Sequence, residues 1–185
     1  MASRPVALKK LHPALGEFVI QYALVQGTLR TLLLVLLDVK HNGGGTLIYG
    51  MGDEVVLKKL RGALNKHGKD YSKLVPALEH IRKVTNFRNR LLHWVPNLNP
   101  SRTTIEAFVD AFKDYATPNE HQIKCTPMEI RNLTQWLQVF EVDIVAVLLA
   151  LGNKERFDKN SCATIQDGQE PRLPKSGYPK KKTTI

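Results

Sequence analysis

The feature that most constrains this chain is a three-and-four spacing of apolar residues sustained over long windows, the period of an amphipathic α-helix. Residues 14–39 carry it at Leu15, Phe18, Val19, Tyr22, Val25, Leu29, Leu32, Leu33, Leu36 and Leu37. A face that broad must be covered by other helices, so the spacing predicts a bundle. The glycine-rich text His41-Asn42-Gly43-Gly44-Gly45 reads as the stop of this helix and as a flexible connector. Asp53 is the expected N-cap of a second helix to about His67, with Val56, Leu57, Leu60 and Leu64 inward and Gly68 ending it. Ser72 is expected to cap a third helix presenting Leu74, Val75, Leu78, Ile81, Val84, Phe87, Leu91 and Leu92 to the core. That helix should end at Val95, because Pro96 disfavours helical geometry in the residue before it.

Thr126-Pro127-Met128-Glu129 reads as a capping box with proline at the first helical position. It opens a last helix through Leu133, Trp136, Leu137, Phe140, Ile144, Val147 and Leu148 to Leu151, with Gly152 as its stop. Between the third and last helices, Ile105, Phe108, Val109 and Phe112 fit a helical period and predict a short helix. A β-hairpin in the Thr- and Phe-rich text between Pro100 and Pro118 is the alternative. The expected fold class is all-α, a bundle of four main helices with a small β-hairpin or short helix inserted before the last. Residues 1–13 form an N-terminal arm in this reading, residues 14–152 the bundle, and residues 153–185 a basic tail too polar and Pro-punctuated to offset the entropy of ordering itself.

Composition limits the function classes. A chain of 185 residues is one domain by size, and 43% apolar with 24% charged residues excludes disorder throughout. Two cysteines, Cys125 and Cys162, write neither a disulfide framework nor a zinc knuckle, so the cytoplasm, a reducing compartment, is the expected location. The most apolar stretch, Leu29 to Val39, is interrupted by Arg30 and Asp38 and falls short of the roughly 20 residues that span a bilayer. It reads as a core helix, with no membrane partner expected. The opening MASRPVALKKLHP has charge but no apolar h-region and does not read as a secretory signal. The net charge of +10, shared between the bundle and the tail, favours a polyanion partner, RNA or DNA above all. No cofactor and no metal site is expected: GGGTLIYGMG lacks the Gly-Lys-Ser/Thr of a phosphate loop, and His12, His41, His67 and His121 lack ligand spacing.

The chemically pointed text closes the third helix: His80-Ile-Arg82-Lys83-Val-Thr-Asn86-Phe-Arg88-Asn89-Arg90-Leu-Leu-His93-Trp94. Asn89 and His93 are four apart and share a helical face, while Arg88 and His93 are five apart and converge only if the final turn loosens. The helix C-terminal dipole favours an imidazolium at His93. An arginine forks onto phosphate oxygens, a histidine moves protons and an asparagine orients either the histidine or the substrate. Arg88, Asn89 and His93 are therefore the candidate catalytic set, with Arg90, Trp94, Arg82 and Lys83 as candidate RNA-binding residues. The plainer readings are a C-cap and solvated face for the cations, a core hydrogen bond for Asn89, and core anchors for Trp94 and Trp136. His80 is placed either near the motif or on the surface.

Arg88-Asn89-x-x-x-His93 resembles the signature of the HEPN superfamily of helical domains, and the text FRNRLLHW is close to the common form of that signature. The order of helices over residues 14–151 is similar as well. The resemblance implies a homodimer in which two copies of the motif meet around one RNA strand. The activity it implies is metal-independent cleavage by the ribose 2′-hydroxyl, as in bacterial toxin and antiphage systems with a cognate antitoxin as a further partner. It also implies a polar residue on the first helix facing the motif, for which Gln21, Gln26 and Glu17 are the candidates. Some toxin members carry a modifiable tyrosine two residues past the histidine; Val95 stands there, so that regulation is not supported. A non-catalytic nucleotide- or RNA-binding module and a purely structural dimerisation domain are the alternatives from other classes.

Overall fold

The computed structural model describes residues 6–39, 41–66, 74–97, 107–110, 122–123 and 125–152, with side chains described except at 6–10, 41–44, 90, 92–97, 107–110 and 122–123. Five helices occur among the described residues: α1 (Val6–Leu36), α2 (His41–Tyr49), α3 (Asp53–Lys66), α4 (Leu74–His93) and α5 (Pro127–Gly152). The fold is an all-α bundle. A small antiparallel sheet of β1 (Trp94–Asn97), β2 (Ala107–Asp110) and β3 (Gln122–Ile123) stands between α4 and α5.

The core forms where the apolar spacing placed it. Phe18, Val25, Leu29, Leu32 and Leu33 of α1 meet Leu60 and Leu64 of α3, Leu74, Ile81 and Val84 of α4, and Ile130, Leu137, Phe140 and Ile144 of α5, all fully buried. Phe18 packs edge-on against Phe87 at 5.9 Å between ring centroids, and Trp136 stacks on Phe140 at 5.3 Å. Trp136 is thus a core anchor, and His80 meets its ring edge-on at 6.3 Å. α1 packs most extensively against α5.

Helix boundaries separate what local chemistry writes from what packing decides. The capping box is formed as read: Thr126 N–H donates to Glu129 Oε2 at 2.7 Å, and Glu129 N–H donates back to Thr126 Oγ1 at 3.2 Å. α1 begins at Val6 rather than at residue 14, carrying Pro13 inside it. Pro13 removes one helical hydrogen bond, but buried Leu11 and Ala14 on either side hold the first turns to the core. α1 ends before the glycines, at Asp38, whose φ of 50° is left-handed. Val39 N–H donates to the Leu34 carbonyl and Asp38 N–H to that of Val35, both at 3.1 Å, which is a Schellman stop. Leu37, expected in the core, follows the last helical residue, Leu36, and is exposed.

His41–Tyr49 is helical, which corrects the reading of the glycine-rich text as a flexible connector. Ile48 and Gly45 are buried, and that packing overrides the poor helix propensity of three glycines. The motif helix is therefore fourth rather than third. It stops at His93, and Pro96 sits in β1 instead, an edge strand where a missing N–H is tolerated. Ala107–Asp110 is a strand paired with β1, Trp94 opposite Asp110 and Asn97 opposite Ala107, so at Phe108 and Val109 the expected short helix gives way to the hairpin alternative, while Ile105 and Phe112 lie outside the described residues. The expected caps at Ser72 and Gly68 and the tail 153–185 lie outside the described residues.

Candidate functional site

Arg88 is half-buried on α4, one turn before the helix ends at His93. Its guanidinium carbon lies 5.4 Å from the centroid of the Tyr22 ring on α1, within range of a cation–π contact. Its Nη1 donates to Asn89 Oδ1 at 3.0 Å. Asn89 itself is exposed, so it serves no core hydrogen bond and instead steadies its neighbouring arginine. Among the described residues no acceptor reaches the buried Nε of Arg88, and no carboxylate pairs with its guanidinium.

A second arginine is in the opposite condition. Arg30 of α1 gives Nη1 to the Gln26 carbonyl at 3.1 Å and to Gln26 Oε1 at 3.2 Å. Its Nη2 donates to the Met51 carbonyl at 3.0 Å and pairs with Asp53 Oδ1 at 2.6 Å. Asp53 opens α3, yet its carboxylate does not cap that helix as expected. The first turn closes on the Gly52 carbonyl, which accepts from Val55 and Val56 N–H, leaving the Asp53 side chain for Arg30 and for the Tyr22 hydroxyl at 2.7 Å.

Tyr22 links the two arginines. Its hydroxyl accepts from Gln26 Nε2 at 3.1 Å and has two acceptors for its one proton, Asp53 Oδ2 at 2.7 Å and Thr85 Oγ1 at 2.9 Å. Burial pushes the phenol well above its ordinary range; the bond to Thr85 opposes this, while the bond to Asp53 and its negative charge add to it. Tyr22 is therefore a neutral donor whose ring face supports Arg88 while its hydroxyl is fixed by α3.

These side chains line one open pocket of about 350 Å³ between α1, α2, α3 and α4, with Arg88, Tyr22, Arg30, Asp53 and Tyr49 on its walls and Ala23 and Gly27 of α1 leaving it room. Of the three polar candidates on α1, Gln26 lies here; Gln21 instead donates to Glu141 Oε2 of α5 at 2.6 Å, and Glu17 is exposed. Arg82 is exposed and bonded to Glu79 at 2.8 Å on its own helix, and both line a neighbouring groove. Lys83 is half-buried. The side chains of His93, Arg90 and Trp94 lie outside the described residues, as do His67 and His121. Among the described residues, no three His, Cys, Asp or Glu side chains gather to hold a metal ion.

Sequence reading missed Tyr22, Arg30, Asp53 and Tyr49 as members of a site. One signal was available: Arg30 interrupts an apolar stretch, and a cation on a buried face needs a partner from another element.

Two helical windows, Leu11–Leu36 and Pro127–Gly152, are long and apolar enough to cross a membrane, a test that core helices of globular proteins also pass. Half of the first window is buried in the bundle. No family model, no curated protein and no solved structure matches the chain.

Proposed function

We propose that this chain is a metal-independent endoribonuclease of the HEPN kind, working as a homodimer in a toxin or antiphage setting. The observation that carries the reading is the condition of Arg88: a half-buried guanidinium at a pocket, without a carboxylate and with an unmatched Nε among the described residues, steadied by the asparagine of its own motif. A cation held that way is suited to a phosphodiester, which offers oxygens to Nε and Nη together.

The roles follow from the chemistry. Arg88 forks onto the scissile phosphate and takes up the charge of the phosphorane. Asn89 keeps that fork aligned. His93, at the end of the same helix, moves the proton: the 2′-oxygen–phosphorus bond forms, the bond to the 5′-oxygen breaks, and the 2′-hydroxyl proton ends on that leaving oxygen. Arg82, Lys83 and Arg90 on the same helix add positive charge for the strand, and Trp94, which follows it, is the further RNA-binding residue.

An exposed apolar surface supports the homodimer. Ile20 and Leu24 of α1 and Val139, Val142 and Leu149 of α5 are large, uncharged and exposed, and patches of this kind mark interfaces. Ile20, Ala23 and Leu24 recur at three and four along one strip of α1, so a second copy seated there stands beside the pocket that Ala23 and Gly27 line.

The test is cleavage of RNA in EDTA by purified wild-type protein and by His93→Ala. The variant should be slower by about 10²–10⁴-fold. Equal activity in both removes the enzyme claim. Tight RNA binding with unchanged substrate length leaves a binding module, and no affinity for RNA at all leaves a structural dimerisation domain.

A further inference from the structure

The geometry points to a nucleotide subsite in the pocket beside Arg88, where the phosphate sits on that guanidinium and the base attached to it stacks on Tyr49. The inference rests on the ribonuclease reading and adds where an unpaired base is held. Gln26, Arg30 and Asp53 are engaged with one another and with Tyr22, so they have little left to offer a ligand. What the pocket still presents is the Arg88 guanidinium and the aromatic side chain of Tyr49, which lines it from α2 and is 54% exposed. An anion joined to a planar group answers to that pair, and a nucleotide is such a group.

The space between the two is kept by small residues. Ala23 and Gly27 line the pocket from α1, and a Cβ added at Gly27 would meet nothing within 4 Å. The volume of about 350 Å³ lies within the range of small-molecule sites. Stacking does not distinguish bases, because every base has a π-face, but it requires one free of its own helix. The subsite therefore selects single-stranded RNA over duplex without reading sequence.

The experiment uses the full chain and a short single-stranded oligoribonucleotide with 2′-methoxy riboses, which binds but has no nucleophile. Binding is followed by fluorescence anisotropy, with thermal melting of every variant alongside. Tyr49→Leu should weaken binding by about 5- to 150-fold, the usual effect of removing one base-stacking ring. Tyr49→Phe should restore it, and Gly27→Leu, which fills the pocket from an open position, should weaken it with no loss of melting temperature. The same RNA in a duplex should be insensitive to Tyr49→Leu.

Wild-type affinity in both Tyr49→Leu and Gly27→Leu would overturn the subsite while leaving the nuclease reading intact, provided His93→Ala still slows cleavage of ordinary RNA. A pocket-dependent affinity for adenosine monophosphate with none for the oligonucleotide would overturn it in favour of a free nucleotide. A wild-type protein that neither binds nor cuts RNA would remove the nuclease reading and the subsite together.

Discussion

Arg30 and Arg88 line the same pocket and contact the same bonded group around Tyr22, yet among the described residues one has four acceptors and the other has one. Arg30 has two carbonyls, an amide oxygen and a carboxylate as acceptors. Among the described residues, Arg88 has one amide oxygen and a ring face. The difference teaches how a bundle divides its cations. One joins α1 to the start of α3 through its second terminal nitrogen, and that wall supports a second whose hydrogen-bonding capacity is less used among the described residues. Removing the first should cost stability, and removing the second should cost only function.

The comparison breaks first, if it breaks, at Asp53. Asp53→Ala leaves Arg30 mostly buried without its carboxylate and takes an acceptor from Tyr22, so it should destabilise by about 3 kcal/mol, read as a melting temperature lower by roughly 6–12 °C. A fall of less than about 2 °C would mean that the Arg30 wall contributes no stability. Asn89→Ala sharpens the other side. It removes the bond that steadies Arg88 from an exposed position, and should slow RNA cleavage by about tenfold while changing stability by no more than about 0.5 kcal/mol.

Tyr22→Phe tests the link between the walls through pH. The folded phenol is held above its ordinary value of 10, so the folded state binds that proton more tightly than the unfolded chain does. The stability so gained is present below pH 10 and is lost as pH rises beyond it. Tyr22→Phe should flatten this alkaline loss in a series of thermal melts, at a cost of about 1 kcal/mol at neutral pH for the hydroxyl's bonds. Cys125, pushed up to about 12 by burial, adds a slope of the same sign that this substitution leaves in place. Asp38→Gly, remote from both walls, should relieve the left-handed residue that ends α1 and add about 0.5–1 kcal/mol. Its cleavage rate should equal that of wild type.

How much of this was legible in the sequence depends on the range of the interaction. The apolar faces of α3, α4 and α5 were readable because a helix repeats its pattern within a few residues, and the Thr126 cap because both partners lie in one turn. The stop of α1 was not, because glycine is the residue usually found in a left-handed cap and an aspartate holds that position here. The glycines that follow lie in a helix that packing through Ile48 holds in place.

The site divides in the same way. Arg88, Asn89 and His93 fall within six residues of α4 and announce themselves by spacing. Tyr22, Arg30, Tyr49 and Asp53 come from three other helices, and their convergence is a product of the fold. Asp53 was misread because an acidic residue at a helix start has a local use, capping, that the distant cation Arg30 outcompetes.

The most direct measurement takes Arg30→Met and Arg88→Met through the same two assays, thermal melting and RNA cleavage in EDTA. Arg88→Met should melt within about 2 °C of wild type and cleave about 10²–10³-fold more slowly, whereas Arg30→Met should melt several degrees lower. An Arg88→Met protein that cleaves at the wild-type rate, or that loses as much stability as Arg30→Met, would contradict the division of roles between the two arginines.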